Sequence, residues 1–174
     1  PFWLTGYSLG GQLALWGIKT AQTLSCELGL VDSDIAGGAV ICPSLDSERS
    51  LTYLVAHPYG KYMEKAISKQ LKKLAWNLHH FHPQEIDPEA IERANSIWGF
   101  DQELVISRLG FASVSDYYTA SNALTLLPHL EKSTLILYAA DDPLFAPSLV
   151  PELEAIASAN SSIDLALTDY GGHV

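Results

Sequence analysis

Basic residues are scarce in this chain. Ten lysines and arginines stand against twenty acidic side chains, a formal net charge of −10, and such a surface repels phosphate backbones, which argues against nucleic acid as a partner. Cysteine is nearly absent as well. Only Cys26 and Cys42 occur, in apolar surroundings and without CxxC spacing, so no cysteine metal cluster is built and reduced core thiols in a cytoplasmic compartment are expected. No apolar run is long enough to cross a bilayer, and no charged-then-apolar leader opens the chain. The 174 residues are 48% hydrophobic and 17% charged, enough apolar matter for one folded core and too much for disorder. The first residues already read as a strand and the last follow a Gly-Gly-His motif, so a piece of a longer protein is expected, with any targeting segment outside it.

The apolar pattern then sets an order of elements. Phe2 to Thr5 reads as a buried strand, Gly10 to about Leu28 as a helix with Gly29 as its stop, and Ile35 to Cys42 as a second strand ended by Pro43. Strand, helix and strand without polar alternation suit a parallel sheet covered on both faces. From Ser44 to about Leu130 helical spacing takes over, with segments near Tyr59–Phe81, Pro88–Trp98 and Val114–Leu127 broken by Pro83 and Pro88. The sheet resumes at Thr134–Ala139, followed by a helix from about Ser148 to Ala159 and a last strand at Ile163–Leu167. The expected organisation is a partial α/β core over residues 1–43 and 131–174 with a helical cap inserted over 44–130.

Between the first strand and its helix lies Gly6-Tyr7-Ser8-Leu9-Gly10-Gly11. A serine at a sharp strand-to-helix turn takes strained backbone angles, and small residues two before and two after it relieve the crowding. Such a turn exposes the Ser8 hydroxyl, aims a helix N-terminus at it and frees the Leu9 N–H to stabilise an oxyanion. Phosphate-binding turns fit less well: a dinucleotide loop needs a second glycine where Tyr7-Ser8 stands, and no P-loop lysine follows Gly11.

A serine hydroxyl is a poor nucleophile at neutral pH unless a base takes its proton and a carboxylate orients that base. Asp142, in the turn after a strand, and His173, in the loop after the next one, supply both in the order Ser, Asp, His. Ser8 is then the nucleophile, His173 the general base and acid, Asp142 its orienter, and Leu9 one oxyanion donor. The second donor is expected from a loop after an earlier strand that these residues do not include, so the chain alone is expected to be inactive. Asp141, next to Asp142, reads as a solvated or turn-capping carboxylate.

Other clusters have plainer readings. His79, His80 and His82 with Glu85 and Asp87 lack a recognised metal-ligand spacing and fit a polar helix end. Lys61, Lys65, Lys69, Lys72 and Lys73 share a helical face opposite Met63, Ile67, Leu71, Leu74 and Leu78; a solvated face is the expected reading, and contact with anionic lipid the less favoured one. No cofactor or metal is expected.

The run Ile91-Glu92-Arg93-Ala94, with Gly99-Phe100-Asp101, Leu109-Gly110-Phe111, Asp116-Tyr117-Tyr118, Ser121, Asp141-Asp142-Pro143 and Gly171-Gly172-His173-Val174, resembles the YheT-type α/β-hydrolases over nearly the whole chain. The resemblance implies an α/β-hydrolase fold truncated at its N-terminal side, with the chain as the C-terminal part. It also implies a serine carboxylic-ester hydrolase acting on a small acyl ester or lipid, with Ser8, Asp142 and His173 at the family's catalytic positions. Gly99 replaces the family's acidic residue before Phe-Asp. An acyltransferase using the same three residues, or a non-catalytic scaffold, is the alternative.

Overall fold

The computed structural model describes residues 1–24, 27, 29, 31 and 34–173; Cys26, Leu28, Asp32 and Val174 lie outside the described residues. Two compact units share the chain, Pro1–Arg49 with Asn122–Val174, and Ser50–Ser121.

The first unit is built on four parallel strands in the order β1-β2-β3-β4: β1 (Phe2–Tyr7), β2 (Ile35–Ile41), β3 (Ser133–Ala139) and β4 (Ile163–Thr168). Helix α1 (Ser8–Leu24) packs on one face of the sheet. Glycine permits the closeness: a Cβ on Gly38 would sit 2.4 Å from Ile18 Cδ1, and one on Gly17 would sit 3.0 Å from Leu4 Cδ1. Leu15, Ile18, Val40, Ile136, Leu127, Leu149 and Leu153 are buried in this layer. A 3₁₀ turn, Leu124–His129, is tied to its neighbours by polar side chains: Lys19 Nζ donates to the His129 carbonyl (3.0 Å), and Asn160 Nδ2 to the carbonyls of Leu127 (2.9 Å) and Leu130 (3.0 Å).

The expected cover on both faces is not found among the described residues. Trp3, Tyr7, Ile41, Leu135 and Leu137, on the face away from α1, are all exposed. Strand β1 is the sheet's edge, and Phe2 (70%) and Trp3 (57%) are open to solvent, so the expected buried first strand is an exposed one. The run of apolar side chains records that both faces suit burial; it does not say what covers each.

Helices α2 (Ser47–Ala56), α3 (Gly60–Phe81), α4 (Pro88–Arg93), α5 (Ile97–Phe100), α6 (Ile106–Leu109) and α7 (Val114–Ser121) follow β2, with a π-helical turn at Asp101–Val105 between α5 and α6. Helix α2 is absent from the sequence reading. The expected helix Val114–Leu127 stops at Ser121, because the Asn122 carboxamide oxygen takes the Leu124 N–H (2.9 Å) and turns the backbone into the 3₁₀ segment. Asp87 caps α4, its Oδ1 accepting the Glu89 N–H at 2.9 Å with Pro88 in the first turn. Ile106, Val114 and Tyr118 form the core of the second unit, with Leu51, Phe111 and Tyr117 against it. The Tyr118 hydroxyl donates to Asp101 Oδ2 at 2.5 Å, and burial pushes the Asp101 carboxyl above its ordinary value despite that bond.

The buried side of α3 differs from expectation. Gly60, Glu64, Ser68 and Ala75 are buried, whereas Leu74 and Leu78 are exposed. Glu64 Oε1 accepts the Ile97 N–H at 2.6 Å, which anchors the start of α5. Small and hydrogen-bonded residues let neighbouring backbones approach, so burial here follows from fit. Helix α8 (Leu149–Ala159) lies between β3 and β4 in the chain and buries Leu149 and Leu153.

Candidate active site

Strand β1 runs into α1 without a loop, and Ser8 is the joint. Its φ is +52°, in the left-handed region that a side chain makes costly. Gly6 is what allows the reversal: a Cβ there would lie 2.2 Å from the Gly10 carbonyl oxygen. The expected need for a small residue at Gly10 is not seen, since a Cβ on it meets nothing within 4 Å outside its own helix; the tight position is Gly11, whose Cβ would lie 3.0 Å from Pro43 Cβ. Leu9 is in the first turn of α1, where backbone N–H groups have no acceptor within the helix.

Two loops at the ends of β3 and β4 approach Ser8. Asp142, buried in the turn after β3, accepts the Leu144 N–H on Oδ1 (2.9 Å) and meets His173 Nδ1 on Oδ2 (2.7 Å). An ionised carboxylate only accepts, so Nδ1 carries the proton and Nε2 of the neutral ring presents a lone pair. Nε2 lies 3.0 Å from Ser8 Oγ. The three side chains thus form one hydrogen-bonded line drawn from the ends of three strands.

The supporting contacts were not legible beforehand. Asp141, expected as a solvated or turn-capping carboxylate, is exposed, and its Oδ1 accepts the N–H groups of both Gly171 (2.9 Å) and Gly172 (2.8 Å), in the loop that carries His173. Gly172 has φ +68°, a conformation glycine takes without strain. Phe145 stands edge-on to the imidazole with ring centres 5.2 Å apart, and Tyr138 stacks on Phe145 at 6.2 Å. No spacing or periodicity singles out Phe145.

Cys42 is buried as expected, with φ +40° and its Sγ 3.8 Å from the Gly172 carbonyl. Burial and the nearby Asp142 carboxylate push the Cys42 thiol above its ordinary value, which keeps it neutral. The Tyr138 hydroxyl is buried without a hydrogen-bond partner among the described residues, and burial together with Asp142 holds it un-ionised. In the helical unit, His79 Nδ1 bonds the Ile86 carbonyl at 2.7 Å and its ring meets Trp76 edge-on. No group of three or more His, Cys, Asp or Glu side chains among the described residues is arranged to hold a metal ion.

No family model matches the chain. Among curated proteins it is 57% identical over its whole length to "Putative esterase slr0264" of Synechocystis sp., covering 49% of that protein. It is 28% identical to mouse "Phospholipase ABHD3", covering 40%, and 27% identical to Escherichia coli "Putative esterase YheT", covering 48%, again over its whole length. The chain therefore spans about half the length, or less, of these relatives. Among solved structures, Candida antarctica lipase A superposes on 98% of the chain with a TM-score of 0.56 at 15% identity, the chain covering 44% of that lipase, a likeness of fold. By this sheet and these likenesses, the chain has an α/β-hydrolase fold and is similar in sequence to the YheT-type esterase-named proteins.

Proposed function

We propose that the protein containing this chain hydrolyses carboxylic esters through an acyl-Ser8 intermediate. One observation carries the reading: His173 lies 3.0 Å from Ser8 Oγ by Nε2 and 2.7 Å from Asp142 by Nδ1, distances across which a proton passes. In the first step Ser8 Oγ bonds to the ester carbonyl carbon while its proton moves to Nε2. The tetrahedral adduct then expels the alcohol, which leaves with that proton. Water repeats the sequence on the acyl-serine, with His173 again as base, and releases the carboxylic acid. Asp142 stabilises the imidazolium formed in each half. Negative charge on the carbonyl oxygen is met by the Leu9 N–H and the N-terminal end of α1. No cofactor enters these steps.

The names of the relatives support an ester or lipid substrate. On this reading the helical segment within residues 44–130 acts as a cap that selects the acyl chain, and the 174 residues alone are inactive, since removing one oxyanion donor costs on the order of 10²–10³ in rate. The test uses the full-length protein. A fluorophosphonate probe should label Ser8, and Ser8→Ala should abolish both labelling and ester turnover. Turnover that survives Ser8→Ala would overturn the mechanism.

A further inference from the structure

Helix α3 carries five of the chain's ten basic residues and one of its twenty acidic ones. Its single acid, Glu64, is turned inward to Ile97, and Lys72 bonds the Glu92 carbonyl and Asn95 Oδ1. That leaves Lys61, Lys65, Lys69 and Lys73, four residues apart, exposed and without an ion pair among the described residues.

Nothing within the helix accounts for these charges. Cations in the first turns oppose the helix dipole, and like charges at four-residue spacing repel. The apolar residues expected to be buried opposite them are not all buried: Leu74 and Leu78 stay in solvent, joined by Tyr62 (66%), Trp76 and Phe81 (74%). The order Tyr62, Lys65, Lys69, Lys73, Trp76, His80 keeps three- and four-residue spacing, so aromatic groups bracket the lysines along one exposed stripe. Lys61 Nζ already rests 5.7 Å from the Tyr62 ring centre. A solvated face needs the lysines and has no use for exposed Trp76, Phe81, Leu74 and Leu78.

We propose that the exposed face of α3 docks on an anionic lipid surface, lysines on the headgroups and the aromatic and leucine side chains in the acyl boundary. Charge complementarity selects an anion. The apolar share selects a lipid phase over nucleic acid, which offers no hydrocarbon layer for Phe81 and Leu74. No helix among the described residues is long and apolar enough to cross a membrane, and contact along one helix face requires none. The inference goes beyond ester hydrolysis and does not depend on it, because docking is read without turnover.

The experiment is co-sedimentation of the full-length protein with vesicles of phosphatidylcholine alone or mixed equally with phosphatidylglycerol. Binding is expected only with the anionic vesicles and is expected to fade with salt. Each neutralised lysine should lower the partition coefficient about fivefold, so the triple variant Lys65→Gln, Lys69→Gln, Lys73→Gln should bind ~100-fold more weakly, and the matching Lys→Arg triple should bind like the wild type. Trp76→Ala with Phe81→Ala should weaken binding and keep its salt dependence. A Ser8→Ala variant should bind unchanged, which separates failure of docking from failure of hydrolysis. Circular dichroism checks that every variant is folded. Wild-type protein left in the supernatant at low salt, a Lys→Gln triple that still sediments, or retention on a heparin column without vesicle binding would each overturn the proposal.

Discussion

Adjacent aspartates in one turn offer a discriminating test of the site. Asp142 reaches His173 Nδ1 through Oδ2 and the Leu144 N–H through Oδ1. In Asp142→Asn the one remaining oxygen keeps Leu144 and the amide turns to Nδ1 as a donor. The imidazole must then carry its proton on Nε2, facing the Ser8 hydroxyl, so two donors meet and the base is lost. Losing the tautomer in this way costs ~10⁴ in rate, about 5.5 kcal/mol at 1.36 kcal/mol per decade. Asp141 holds Gly171 and Gly172 by two charge-assisted bonds from an exposed position. Water replaces part of what Asp141→Ala removes, so each bond is worth about 1 kcal/mol and the pair about 2. The loop bearing His173 is then in place up to about thirtyfold less often. Asp141→Asn retains an acceptor and should lose only a few-fold. The assay is kcat/KM of the full-length protein on a soluble ester, paired with the rate of fluorophosphonate labelling. Equal losses in Asp141→Asn and Asp142→Asn, or wild-type turnover in the latter, would refute the assignment of the two carboxylates.

Three further outcomes follow from the same structure. Gly6→Ala places a Cβ 2.2 Å from the Gly10 carbonyl oxygen; relief needs a shift of about 1 Å at the joint, which should lower Ser8 labelling by about 10²-fold and also lower Tm, and unchanged labelling would contradict the elbow geometry. Asp101 has a carboxyl raised by burial above 3.8, so the native state holds more protons than the unfolded one and stability should fall as pH rises from about 3.8 through the raised value. Asp101→Asn keeps an acceptor for Tyr118 and should flatten that fall in urea titrations; a variant less stable at neutral pH would show that the ionised bond is a net gain. Tyr138→Phe removes a buried hydroxyl that has no hydrogen-bond partner among the described residues and should raise stability by about 1 kcal/mol, whereas a lower urea midpoint would mean that the hydroxyl is satisfied.

The sequence carried its clearest information where local covalent demands are strict. Gly6 before Ser8 marks a backbone reversal, and the short unalternating runs at Ile35–Cys42 and Thr134–Ala139 mark the strands found at Ile35–Ile41 and Ser133–Ala139, because each signal depends on a few neighbouring residues. Helix α3 shows the opposite case. Its periodicity named Leu74 and Leu78 as buried, and the fold buries Glu64 and Ser68 instead, since a hydrogen bond from Ile97, far along the chain, rewards the carboxylate. In the same way β1 is apolar enough for a central strand but forms the sheet edge, and composition holds no record of which neighbour is present.

By itself, the sequence determined the type and order of the chemically capable residues, Ser8, then Asp142, then His173, and the strand-to-helix joint that strains the first of them. The tertiary structure alone decided that the ends of three strands bring them within hydrogen-bond distance. It also decided that Asp142 bonds the imidazole while Asp141 bonds the loop that carries it, and which side chains of α3 face solvent. The reason is one of range: backbone strain and periodicity act over a few residues, whereas burial and hydrogen-bond geometry depend on partners more than a hundred residues away.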